Sequence, residues 1–233
     1  MAEQVPSDRE GRGLAAALAV CSLATLTLLA SHPSGGARSL ADVLRDEAQS
    51  VAINGIVHGG FVVTLAALIV CFLLLSRRLG SRRVAVVVGL ATFCIGSGLL
   101  IASMILDGFV TPALAVRFAD SGSADNLLMA RTLFIFCGTV IRFLMPIGIL
   151  FQSAAMLGWS AAILKGPGLR RSVGAFGLGA GAILIIGLLA APSALMAHVL
   201  LAGIALQAIW YLALAALLSS RASWPVAGGS EQH

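Results

Sequence analysis

Charge is scarce in this chain. Only 11% of its 233 residues are Asp, Glu, Lys or Arg, and Lys165 is the single lysine. It sits in a polar connection, so a retinal or other Schiff base inside a bundle is excluded. The four cysteines, Cys21, Cys71, Cys94 and Cys137, are widely spaced and form no CxxC pair, which reads as buried thiols rather than a metal or redox motif. There is no Walker loop, HExxH, GxSxG or carboxylate dyad, so nothing points to ATPase or hydrolase chemistry. Strict apolar–polar alternation is also missing, which excludes a β-barrel. GLGAG at 177–181 has no lysine and no preceding strand, so it reads as helix packing rather than a nucleotide loop.

Apolar surface is what remains. The chain is 59% hydrophobic with mean hydropathy +0.99 and 26 glycines, a composition whose solvent is largely lipid. A membrane-spanning helix needs roughly 20 apolar residues. Six segments meet that need: 13–31, 53–76, 84–107, 132–157, 172–191 and 194–218. The expected fold is all-α, a polytopic bundle of six transmembrane helices with short amphipathic outer-loop helices. Residues 13–220 form the bundle, between a disordered cytoplasmic N-terminus at 1–12 and a flexible cytoplasmic C-terminus at 221–233. The mixed-charge opening and the absence of a small-x-small cleavage site argue against a signal peptide, and valine before Cys21 argues against lipidation.

The net charge of +5 marks topology better than it marks nucleic-acid binding. With the N-terminus inside, ten basic residues fall on cytoplasmic pieces and four, Arg38, Arg45, Arg117 and Arg131, fall outside. This obeys the positive-inside rule for a bacterial-type inner membrane. The expected partners are the lipid bilayer and other membrane proteins meeting small-residue helix faces such as Gly55/Gly59 and Gly177/Gly181. Nucleic acid is not among them.

Local signals refine the loops. Ser39 with Asp42 three residues later reads as a capping box opening a short outer helix that carries Arg45, Asp46 and Glu47. Gly108 and Pro112 are expected to end the third span, with Thr111 as the N-cap of a second outer helix ending near 120–123. Trp210 and Tyr211 suit the inner half and interface of the last span.

Ionisable residues inside the spans are the functional signal, because such groups persist only where they pair, face a wet cavity or snorkel. Arg142 lies within the fourth span, four residues before Pro146, which predicts a kink beside the charge. Asn54 and His58 share a helical face, and His198 lies about one turn into the sixth span. With Asp107, these predict a cluster of His58, Asp107, Arg142 and His198 in the outer half of the bundle. Asp107 is expected to pair with Arg142, which an unpaired intramembrane charge requires. The two histidines are expected to face each other and bind a cofactor: haem b, with Arg142 on a propionate, or copper, with Met104, Met145 and Met196 as thioether donors. The alternatives are an accessory subunit of a membrane complex with a structural Asp107–Arg142 ion pair, and a small-solute transporter. No motif names a catalytic residue.

Overall fold

The computed structural model describes residues 8–31, 39–119 and 123–220. Of the segment 1–12 expected to be disordered, residues 8–12 instead begin the first helix, while 1–7, like 221–233 and the end of the second outer-loop helix at 120–122, lie outside the described residues. Within them the regular structure is helical: α1 (Asp8–Ala30), α2 (Leu40–Gln49), α3 (Val51–Leu79), α4 (Val84–Ile105), a π-helical turn (Leu106–Val110), α5 (Thr111–Phe118), α6 (Ala124–Leu164), α7 (Leu169–Ala190) and α8 (Met196–Ser219). Six helical stretches are long and apolar enough to cross a membrane, with α4, the π turn and α5 forming one of them. Their outward faces carry large apolar side chains such as Ile56, Val63, Val84, Ile183 and Leu189, a surface compatible with contact with lipid.

The six long helices close a ring in the order α1, α3, α4, α6, α7, α8 and back to α1. At one end, the start of α1 meets the ends of α3, α6 and α8 and the starts of α4 and α7. The connections there bear Arg77, Arg78, Arg82, Arg83, Lys165, Arg170 and Arg171, and this is called the basic end below. Its core is aromatic. Phe72 stacks on Trp159 with centroids 4.3 Å apart, lies parallel to Trp210 at 6.0 Å, and meets the Tyr211 ring edge-on at 5.0 Å. Trp159 Nε1 donates to Ser76 Oγ at 2.9 Å. Trp210 and Tyr211 therefore belong to the core rather than to an interfacial belt, because their rings fill the ring's interior.

Glycine sets the helix spacing. A Cβ on Gly96 of α4 would lie 2.6 Å from the Gly148 carbonyl oxygen of α6, so the two backbones touch where no side chain fits. On the other side of α6, a Cβ on Gly181 of α7 would lie 3.1 Å from the Ser153 carbonyl oxygen, and one on Gly177 would strike Ser160 Oγ and Trp210 Nε1. The Gly177/Gly181 face is thus used within the chain. Gly55 and Gly59 receive the ring of Phe109 rather than a backbone.

At the opposite end, Leu44 of α2 packs with Ala115 and Phe118 of α5 and Ala130 of α6 to form a cap. The Ser39 cap forms as the sequence implied: its hydroxyl accepts from the Asp42 amide at 3.2 Å and donates to the Asp42 carboxylate at 2.6 Å. The third span departs from expectation, since helix continues past Gly108 and Pro112. Proline at 112 has no N–H for the Gly108 carbonyl, and the helix widens just ahead of it instead of stopping. Thr111 is not an N-cap; its backbone is helical, and its hydroxyl donates back to the Leu106 carbonyl at 2.9 Å. α6 likewise runs through Pro146 as one 41-residue helix.

Close contact between α4 and α6 generates a prediction. Gly96→Val should destabilise the purified protein by about 1–3 kcal/mol, the range for overpacking a tight contact. Gly98→Ala, where an added Cβ meets nothing within 4 Å, should leave the thermal unfolding midpoint unchanged or slightly raised. Equal shifts for the two variants in a thermal unfolding assay would refute backbone contact as the determinant.

Candidate functional site

The site begins with the spacing of Asn54 and His58. Four residues apart on α3, they place His58 Nδ1 3.0 Å from the Asn54 carbonyl oxygen, while the Asn54 side-chain Nδ2 donates to Glu47 Oε2 of α2 at 2.8 Å. On its other side, His58 Nε2 lies 3.1 Å from Asp107 Oδ2 in the π turn. A π turn within an α-helix is often found at functional sites. Here it bears the carboxylate and, next to it, Gly108, where any Cβ would collide with Cβ of His58. Glycine at 108 is what admits the imidazole. His58 is 2% exposed and the Asp107 side chain 35%, so the pair has a buried half and an accessible half.

Both ring nitrogens of His58 face acceptors. A neutral imidazole carries one hydrogen and satisfies only one of them. Full satisfaction takes one further proton, held either as imidazolium beside carboxylate or as an Asp107 carboxylic acid donating to Nε2. The two forms have the same net charge.

Asp107 opens onto a cavity of about 280 Å³ within the ring, close to the smallest volumes typical of small-molecule sites. Phe61, Met104 and Met145 line it near the carboxylate; Leu65, Leu100, Leu200 and Ile204 supply further apolar wall. Ala197 and Leu201 are both cavity-lining and exposed, so the cavity reaches the bundle surface along the first turns of α8. Toward the basic end the lining turns polar. Gln152 Nε2 donates to Ser97 Oγ at 3.0 Å, and Gln207 Nε2 to Ser153 Oγ at 3.3 Å, tying α6 to α4 and α8. Tyr211 also lines the cavity; it is 5% exposed, and its hydroxyl has no protein hydrogen-bond partner among the described residues.

Of the four ionisable residues expected to converge, two do. The Asp107 ion pair is with His58, correcting the expected pairing with Arg142. Residues 131–143 of α6 are largely exposed, with Cys137 the one buried position and Leu133 and Phe134 packed on the cap. Arg142 is exposed there and forms no ion pair among the described residues. His198 is exposed in the first turn of α8, and α1 stands between α8 and α3 in the ring. The two histidines therefore do not face each other. His58 also has no ring nitrogen left for a metal, since each is directed at an oxygen, and the bis-histidine haem and histidine–methionine copper arrangements do not assemble. Met104 and Met145 pack with Val57 and Phe61, and Met196 with Leu100 and Ile149, as core methionines do. No group of three or more His, Cys, Asp or Glu side chains is arranged to hold a metal ion among the described residues. Cys21, Cys71 and Cys137 are buried as expected, whereas Cys94 is exposed.

Gln152, Ser97, Thr25, Thr64 and Phe61 escaped the sequence reading. The signal for Gln152 was present: an amide deep in an apolar span, at a depth matching Gln207 and Ser97 on neighbouring helices.

The corrected pairing is testable by a double-mutant cycle. Asp107→Asn and His58→Gln should each lower stability by about 1.5–3 kcal/mol, the range for a hydrogen bond to a charged group, and the double variant should recover part of the loss. Asp107→Asn combined with Arg142→Gln should be additive. Thermal unfolding of purified protein reads both cycles.

No protein-family model, curated protein or solved structure matches this chain.

Proposed function

We propose that the protein is a small-solute carrier of a bacterial-type inner membrane, with both termini cytoplasmic, that binds a mainly apolar molecule in the cavity of its helix ring. The observation that carries this reading is the cavity itself: largely apolar walls, one carboxylate at the rim and the phenol of buried Tyr211 at the other end. Recognition sites for small molecules combine such walls with a few fixed polar groups. The aromatic stack of Phe72, Trp159 and Trp210 closes the basic end, which supports a state open only away from it. Orientation is supported by the arginines of the α3–α4 and α6–α7 connections, which favour the cytoplasmic side.

Neopentylbenzene, a compact uncharged aromatic hydrocarbon, is the probe for the cavity. A saturating concentration should raise the unfolding midpoint of the protein in mild detergent, as any ligand selective for the native state does; at a hundred times Kd the stabilisation is about 2.7 kcal/mol. Ile204→Trp, which fills the cavity from α8, should abolish that shift. An undiminished shift in Ile204→Trp would place binding outside the cavity and refute the reading.

Orientation has its own test. In a cysteine-free background, exposed Ser81 and Ser123 lie at opposite ends of the bundle. A membrane-impermeant thiol reagent applied to intact cells should label Ser123→Cys and spare Ser81→Cys, and the reverse pattern would invert the topology.

A further inference from the structure

We infer that the solute is a small organic cation with an apolar body, and that it enters in exchange for the proton shared by His58 and Asp107. This deepens the carrier reading and rests on it.

Three observations carry the inference. First, the two halves of the pair are differently placed. His58 is walled in by Gly108, Asn54 and α3, whereas Asp107 lines the cavity, so an entering molecule meets the carboxylate and not the imidazole. Second, the wall around that carboxylate suits a cation. Phe61 offers an aromatic ring, and Met104 and Met145 offer polarisable thioethers. Among the described residues, no lysine, arginine or histidine lines the cavity. Asp107 is the one charged group among the lining residues, so it would repel an anion, and a neutral hydrocarbon has no use for it. Third, the hydrogen-bond geometry of His58 stores one proton more than a separated neutral imidazole and carboxylate hold.

That proton has a defined fate when a cation arrives. The pair starts net neutral. As the cation takes up Asp107, an N–H bond at Nε2 breaks and its proton leaves to solvent. His58 remains neutral, its Nδ1–H donating to the Asn54 carbonyl. One positive charge enters the site and one leaves, so the buried charge is conserved, which the low-dielectric surroundings favour. No electron transfer is involved.

Among the described residues, the charged groups around the pair are few. α2 brings Glu47, which reaches His58 through Asn54. α5 brings Arg117, whose guanidinium lies 5.8 Å from the centre of the Phe118 ring. α6 brings Arg142, exposed and without an ion pair among the described residues. The proton of the exchange therefore belongs to His58 and Asp107.

Benzyltrimethylammonium and neopentylbenzene form a matched pair of probes, alike in shape and differing in charge. Because the former is permanently charged, any proton released on binding comes from the protein. Titration calorimetry of the purified protein in two buffers of different ionisation enthalpy should show close to one proton released per benzyltrimethylammonium bound and none per neopentylbenzene. In Asp107→Asn, affinity for the cation should fall at least tenfold and proton release should vanish, while neopentylbenzene binds as before and so certifies the fold and the cavity. Cation binding by the unaltered protein without proton release would overturn the exchange. Undiminished cation affinity in Asp107→Asn would overturn the site. Binding of neopentylbenzene alone would refute this inference and leave the carrier reading standing; binding of neither probe would refute both.

Discussion

Backbone contact along α6 is the constraint from which the rest of this structure follows. Lipid chains are as apolar as leucine, so burying leucine gives helices little reason to associate in a bilayer, and close packing must supply the attraction. Gly96 and Gly148 let α4 and α6 touch, and Gly177 and Gly181 do the same for α7 against α6. Three helices drawn together at near-backbone distance make one side of the ring. α1, α3 and α8, which meet through larger side chains, complete it and leave the interior partly unfilled.

The two ends of that interior are finished with different materials. Stacked rings fill the basic end, and fully buried Trp159 and Trp210 exclude solvent there. Away from it the lining is aliphatic and thioether, interrupted by Asp107. A half-exposed carboxylate in such surroundings is tolerable because His58 answers it from behind, and His58 is held by the Asn54 carbonyl in turn. Asn54 also holds Glu47, so the cap helix α2 is tied by hydrogen bonds to the same face of α3 that carries the histidine.

Much of this was written in the sequence, and what was not has a common cause. Apolar runs located all six long helices, Ser39 and Asp42 located α2, and the four-residue spacing of Asn54 and His58 located one half of the site. Depth along a helix is countable at 1.5 Å per residue. Rotation about the axis and the order of helices around the ring are not. His58 and His198 have matching depths and fail to meet because α1 lies between their helices. Arg142 has a depth from which it reaches toward Asp107, yet it lies on an exposed face of α6. Gly108 and Pro112 resembled a helix terminus because sequence shows that proline lacks a donor but not that a wider turn absorbs the loss.

That wider turn has a consequence for how the chain tolerates change. A π turn is an α-helix carrying one surplus residue, and each residue of α-helix advances the chain by about 100° around the axis. Loss of a single residue between Leu106 and Val110 would let the helix regularise without a break, and no apolar contact within α4 itself would be lost. Because the wider turn already absorbs the surplus residue, everything beyond would keep close to its present phase. Ala115 and Phe118 of α5 would still face Leu44, but Asp107 and Gly108 would lose the widened turn that sets them against His58. In this short stretch, the number of residues is under tighter constraint than their hydrophobicity.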